Sequence, residues 1–359
     1  MNAPLCSRRE FLAKAGWTGA AALIPLRTAP RRKLFIDQDT LGPGTTNLQS
    51  LGMLLAAPEV QILGIGVVSG DHWRDFEVRH ALRLLELARR PEIPVFPGAV
   101  FPLINSAERT AAWEKMYGRL VYKGAWDLER PGKFADPYGA PPLEEGEPAL
   151  RPQSQAAADA MVELVRRYPG EVSIWAGGPL TNVALACRLD PQFAAQAKEL
   201  HFMGGAFQPQ TDAREFKHSP RRSFNLRFDP EAAHIALTAP WRKLVCSPVD
   251  ASVSLRSTAA DFAAIKRGTS ALAQYFARYG ETNRPMRDEV AAATWIDPTL
   301  VTKSERYFVD VSVDQGSSYG DALSWAPGSE PGRGERQAEV QLGIDAARFR
   351  RMFVELLSG

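Results

Sequence analysis

The sequence is poor in cysteine, in histidine and in net charge: 359 residues contain three cysteines, five histidines and a formal charge of +2. Three cysteines exclude a disulfide scaffold. Cys187 and Cys246 lie in apolar segments and read as buried free thiols rather than as a bridge. The histidines are scattered. His80 and His234 fall within helical patterns as packing or surface residues, His201 within a strand as core, and His218 in a polar loop. Lys and Arg are dispersed apart from Arg31-Arg32-Lys33, a solvated flank, so nucleic acid is not an expected partner. Beyond the first thirty residues no apolar run is long enough to span a membrane. The composition is that of an ordinary globular protein, 45% hydrophobic and 23% charged, long enough for one large α/β domain.

The N-terminus differs in kind. Ser7-Arg8-Arg9-Glu10-Phe11-Leu12 is a twin-arginine pattern, followed by a weakly apolar stretch from Ala13 to Leu26 and then Arg27-Thr28-Ala29. That order is expected of an export signal over residues 1–30, cleaved near Ala29, with the remainder delivered to the periplasm or beyond and free of the membrane. Residues 31–359 are expected to form a single domain.

Strand and helix patterns alternate through it. Strands are expected at Lys33–Asp37, Val60–Ser69, Pro94–Phe96, Glu171–Ala176, Glu199–Met203 and Lys243–Cys246. Helices are expected at Asn47–Ala57, Phe76–Arg89, Gln153–Tyr168, from Leu180, at Pro230–Ala239, after an N-cap at Ser257, and around Asp288–Trp295. Tyr307–Val313, Ala338–Leu342 and a helix Asp345–Leu357 close the domain. The segment 123–152, rich in Pro, Gly and acids, reads as a long surface excursion. The rhythm predicts an α/β fold: a mainly parallel central sheet flanked by helices on both faces.

The most informative stretch is Leu34-Phe35-Ile36-Asp37-Gln38-Asp39, followed by a glycine-rich turn and a helical pattern. Two acids at i and i+2 share one face of a strand. The carboxyl end of a strand, beside a loop and a helix start, is where open α/β sheets place ligands. Like charges so close ask for a hard cation or a shared proton.

Six motifs in order resemble the inosine-uridine nucleoside hydrolase family over nearly the whole chain: Asp37-Gln38-Asp39; Ser69-Gly70-Asp71 after the second strand; Gly178-Pro179-Leu180-Thr181-Asn182; Met203-Gly204-Gly205; Phe224-Asn225 with Asp229-Pro230-Glu231; and Asp288 with Ile296-Asp297-Pro298. The resemblance implies a Rossmann-like nucleoside hydrolase fold, cleavage of the N-glycosidic bond of a ribonucleoside, a calcium ion held by acids and a backbone carbonyl, and a homo-oligomer, dimer or tetramer. Residue by residue it implies Asp39 as metal ligand and general base, Asp37 as a supporting or metal-adjacent acid, Asp288 as the late metal acid, Gly177 as the carbonyl ligand and Asn225 as a ribose contact.

The departures are specific. The turn after Asp39 is about three residues longer than the family's D-x-D-P-G-x-D-D-A, placing Thr46 and Asn47 where paired acids belong; they are expected to contact ribose and, through Asn47, the metal. Asp71 stands where the family has Asn and is expected to restore part of the lost charge. Ser223 replaces a Glu. Arg287 replaces a His; it cannot act as an acid near neutrality but can hold an anionic substrate group. His72, Trp73 and Arg74 read equally as pocket wall or as solvated loop, and Trp113, Tyr117, Tyr122 and Trp126 read first as packing for the excursion, with base stacking as the alternative. A phosphatase reading of Asp37-Gln38-Asp39-Thr40-Leu41 fails, because the threonine comes one residue early and no room remains for intervening motifs. A non-catalytic riboside-binding protein, and a hydrolase of a non-nucleoside riboside, stay open as alternatives.

Overall fold

Leu34, Phe35 and Ile36 are fully buried because the strand that carries them, β1 (Arg32–Gln38), runs through the interior of the sheet with a parallel neighbour on each side. The structure is a computed structural model that describes residues 31–207 and 221–359. The twin-arginine segment and most of the loop Gln208–Arg222, with His218, lie outside the described residues. The further strands are β2 (Val60–Val67), β3 (Val95–Pro97), β4 (Val172–Ala176), β5 (Glu199–Met203), β6 (Leu244–Ser247), β7 (Val301–Val311), β8 (Ala322–Trp325) and β9 (Arg336–Ile344). They form one sheet in the order β3-β2-β1-β4-β5-β6-β9-β7-β8. All pairings from β3 to β9 are parallel, whereas β7 runs antiparallel to both β9 and β8.

Alternation along β1 divides the core. Leu34 and Ile36 pack with the helices Thr46–Ala56, Arg74–Leu87, Arg287–Ile296 and Ala346–Ser358. Phe35 packs on the opposite face with Ala157–Arg167, Thr181–Leu189 and Pro230–Thr238. Each buried large apolar side chain contributes about 1.5–3 kcal/mol. The chain runs outward from β1 through β2 to β3, then returns to the other side of β1 as β4. The carboxyl ends of β1 and β4 therefore form a topological switch point, with Asp37 in register with Ala176.

Several expectations need correction. The helix expected from Gln153 starts at Ala157, because the Gln153 backbone N–H pairs with Val95 O at 2.8 Å as an extension of the sheet edge. Ser257 is not a helix cap. Thr258 is, in a capping box with Asp261, while the Ser257 hydroxyl donates to Glu281 O at 2.7 Å. The strand expected from Tyr307 begins six residues earlier, at Val301, because its outer half is an exposed antiparallel ribbon without an apolar pattern. The helix Ala107–Tyr117 and the strand β8 carried too little periodicity to be foreseen. Between Gly118 and Ala156 the excursion is built of turns and one short 3-10 helix, Gly124–Trp126. Cys187 and Cys246 are free thiols.

Candidate active site

Asp39 lies one residue beyond the end of β1 and is 1% exposed. Its Oδ1 accepts from Asn47 Nδ2 at 2.9 Å, and its Oδ2 accepts from the Asp71 backbone N–H at 2.9 Å. Asn47 is placed by the start of the helix Thr46–Ala56, and Asp71 by the turn after β2. Glycine is required in that turn: a Cβ on Gly70 would sit 2.2 Å from Asp39 Oδ2. Gln38 faces the other way and donates to Asp288 Oδ2 at 3.3 Å, tying β1 to the first turn of the helix Arg287–Ile296.

The excursion forms one wall. Tyr122 OH donates to Asp71 Oδ1 at 2.7 Å, and the Lys133 ammonium donates to the Asp71 carbonyl. Asn225, in the short helix Phe224–Phe228, donates its amide to Gly177 O at 2.5 Å and to Met203 O at 3.0 Å. The Thr46 hydroxyl donates to buried Glu289, next to Asp288. Ser223 Oγ accepts from the Gly205 N–H at 2.7 Å, so it supports the wall through backbone.

These residues enclose a cavity of about 230 Å³ whose lining includes Asp39, Thr46, Asn47, Asp71, Gly177, Asn225, Arg287 and Asp288. Asp37 does not line it. The strand ends at Gln38, so the alternation that would align Asp37 with Asp39 stops between them. Asp37 Oδ1 instead accepts from Asn182 Nδ2 at 2.8 Å, and Asn182 Oδ1 accepts from the Ala99 N–H at 2.7 Å. Asp37 thus braces the loop after β3 against the first turn of the helix Thr181–Leu189. Its Oδ2 is buried without a partner, and burial pushes its carboxyl up to about 7.

The carboxyls facing the cavity oppose one another. Burial, and then the charges of Asp71 and Asp288, hold the Asp39 carboxyl well above the usual carboxylate range. Burial and the charge of Asp71 push Asp288 up to about 7, against Arg287 and the Gln38 amide, which pull it down. Burial also raises Glu77 and Glu289. Among the described residues no three acid, histidine or cysteine side chains close in as a ready-made metal cage. The chemistry of the donors nevertheless fits a hard cation: carboxylates of Asp39, Asp71 and Asp288, the Gly177 carbonyl with a second lone pair beyond its bond to Asn225, and the Asn47 side-chain oxygen, all on one cavity.

His72, Trp73 and Arg74 are not on the wall. His72 is buried between Phe76 and Phe134, with ring centroids 4.9 and 4.2 Å away, and burial pushes its imidazole down to about 4. Trp73 Nε1 donates to Phe134 O at 2.9 Å, and Arg74 pairs with Asp75 and donates to Gly98 O at 2.8 Å. Trp126 stacks on Phe228 at 4.4 Å, and Trp113 lies beneath Arg222 and Arg227, so both are packing residues; Tyr117 is exposed. Of the four aromatics only Tyr122 lines the cavity. Glu77, Lys133 and Glu289 escaped the sequence reading. An acid between the apolar positions Phe76 and Val78 was the one signal available for Glu77.

The chain is similar to known proteins along most of its length. The family model "Inosine-uridine preferring nucleoside hydrolase" matches residues 34–351. The pyrimidine-specific ribonucleoside hydrolase RihA of Salmonella schwarzengrund is 29% identical over 343 residues, covering 90% of this chain and 96% of its own. Probable uridine nucleosidase 1 of Oryza sativa subsp. japonica is 35% identical over 209 residues, 58% of this chain and 56% of its own. The solved plant nucleoside hydrolase PpNRh1 superposes with a TM-score of 0.71 at 22% identity, over 92% of this chain and all of that one. A match running from β1 into the terminal helix, on a fold with the same architecture, makes this chain a member of the inosine-uridine preferring nucleoside hydrolase family.

Proposed function

We propose that the protein hydrolyses the N-glycosidic bond of a ribonucleoside or closely related riboside, with Asp39 as general base toward water and Ca²⁺ as cofactor. The observation that carries this reading is the convergence of Asp39, Asp71, Asp288 and Asn225, from four separate segments, on one cavity at the switch point of the sheet.

Water oxygen attacks C1′ of the ribose, the C1′–N bond breaks, and the base departs with the bonding electron pair. The transition state has oxocarbenium character, and the carboxylates of the cavity floor stabilise its positive charge. Asp39 takes the water proton, in a position fixed by Asn47 and the Asp71 N–H. Asn225, held by two backbone carbonyls, presents the rest of its side chain to the sugar. Asp39, Asp71, Asp288, Asn47 and the Gly177 carbonyl are the residues that would hold calcium, which supplies a lowered water pKa and a grip on ribose hydroxyls. Solvent at the open mouth of the cavity protonates the leaving base.

The test is release of ribose from inosine, uridine and p-nitrophenyl riboside, with and without Ca²⁺, by the parent and by Asp39→Asn. Turnover reduced about 10²–10⁴-fold in the variant supports catalysis. Riboside binding with no turnover of any substrate favours the non-catalytic binding protein. Turnover of p-nitrophenyl riboside alone favours a non-nucleoside substrate. Twin-arginine export to the periplasm and assembly as a dimer or tetramer belong to the same proposal. Signal processing of Arg8→Lys/Arg9→Lys and light scattering of the mature protein test them.

A further inference from the structure

The cavity is electrically divided. Its floor is acidic, with Asp39 and Asp288 1% and 5% exposed. Its rim carries three guanidinium groups, Arg130, Arg284 and Arg287. They come from different segments: Arg130 from the excursion, Arg284 from the loop before the helix Arg287–Ile296, and Arg287 from that helix's first position. Neutral ribosides need acids at the floor; nothing in the reaction requires cations at the rim.

Two of the three are set in place by their neighbours. Arg130 lies over the Tyr122 ring at 4.8 Å, donates Nε to Asp127 at 2.6 Å and Nη2 to Val121 O at 2.8 Å; its Nη1 enters neither bond. The Arg284 loop is pinned to Ser257. Ser257 N donates to Arg284 O at 3.0 Å, the Arg284 N–H donates to Ser257 Oγ at 3.1 Å, and Asn283 N donates to Ser257 O at 2.8 Å. Asn283, at φ 61°, turns the chain there. The Arg284 side chain is 62% exposed and its pair with Glu281, itself 61% exposed, is a surface contact of little strength that a ligand can displace. The cavity is open to solvent on the side of the exposed Arg130 and Arg284, so a riboside seated at the floor faces this rim.

From this division of charge we propose that the preferred substrate is an anionic riboside, whose phosphate or carboxylate is held at the rim by Arg130, Arg284 and Arg287 while its ribose meets the acidic floor. Guanidinium groups suit planar carboxylate and phosphate oxygens. The acids at the floor repel an anion, which fixes the direction in which the substrate enters. The inference rests on the riboside-hydrolase reading.

The experiment compares kcat/KM for three related ribosides with the mature protein in Ca²⁺: uridine, orotidine (carboxylate on the base) and uridine 5′-monophosphate (phosphate on the sugar). At least one anionic riboside is expected to exceed uridine tenfold or more at low salt, with the advantage shrinking at 0.5 M NaCl. Which one does so identifies the anionic group. In Arg130→Gln/Arg284→Gln the anionic-to-neutral ratio is expected to fall at least fivefold. Uridine matching or exceeding both anionic ribosides overturns the proposal and leaves the hydrolase reading intact. Failure to cleave any of the three, or inosine, overturns both.

Discussion

The side-chain amide of Asn47 stands 2.9 Å from Asp39 Oδ1 and donates to it. A neutral donor thus occupies the place where the family pattern puts an acid, and it stabilises the ionised form of Asp39 against the burial that opposes it. Another carboxylate of the same cavity comes from the loop after β2, where Tyr122 holds Asp71.

Calcium affinity reads this exchange directly. Asp71→Asn is expected to weaken calcium binding about tenfold in titration calorimetry, and Asn47→Asp to tighten it by a similar factor, as expected when formal charge in an oxygen-ligand site changes by one. A chelator should abolish turnover of the parent and added Ca²⁺ restore it. Unchanged affinity in both variants would remove Asp71 and Asn47 from the site.

Tyr122→Phe removes the hydroxyl that holds Asp71 Oδ1 and leaves the ring under Arg130. A lost hydrogen bond to a charged group is worth about 1.5–3 kcal/mol. The expected result is a roughly tenfold or greater fall in kcat/KM with an unaltered circular dichroism spectrum. Parent-like kinetics would show that the excursion does not position Asp71.

Gly70→Ala should be far more damaging than its single methyl suggests. The new Cβ would meet Asp39 Oδ2 at 2.2 Å, whereas a Cβ on Gly316 meets nothing within 4 Å. We expect kcat/KM to drop at least tenfold in the first variant and to stay at the parent value in Gly316→Ala. Equal kinetics in the two would contradict the placement of Asp39 beneath this turn.

Acid sensitivity should trace in part to His201. It is 3% exposed in β5, and burial pushes its imidazole well below the usual 6.5. Below pH 6.5 the unfolded chain binds a proton that the folded one refuses, so stability present above 6.5 is lost as pH falls, at up to about 1.4 kcal/mol per pH unit. Urea midpoints from pH 7 to pH 5 should fall more steeply for the parent than for His201→Leu. A steeper fall in the variant would reverse the assignment.

The alternation of β1, the apolar run of β2 and the helical patterns between them were legible because each rests on local periodicity. That was enough to place a parallel sheet and to single out Asp39, Asn225 and Asp288, which the fold brings to one cavity. Ser257 was misread because a serine before a helical pattern looks like a cap, while its actual role, pinning the Arg284 loop, depends on residues about 25 positions away. Asp37 was grouped with Asp39 because spacing says nothing about where a strand stops. One residue past the end of β1, Asp39 turns into the cavity while Asp37 braces Asn182.

By itself the sequence determined the order of elements, the family and the acids available, since these follow from residue type and local pattern. Tertiary structure decided which acids meet. Whether Asp71 could answer for Thr46 and Asn47, whether the excursion would close over it through Tyr122 and Lys133, and whether three arginines would share one rim all depend on contacts between distant segments. Burial, and then the charges of Asp71 and Asp288, raise the Asp39 carboxyl, and burial is a property of the packed fold rather than of any stretch of chain.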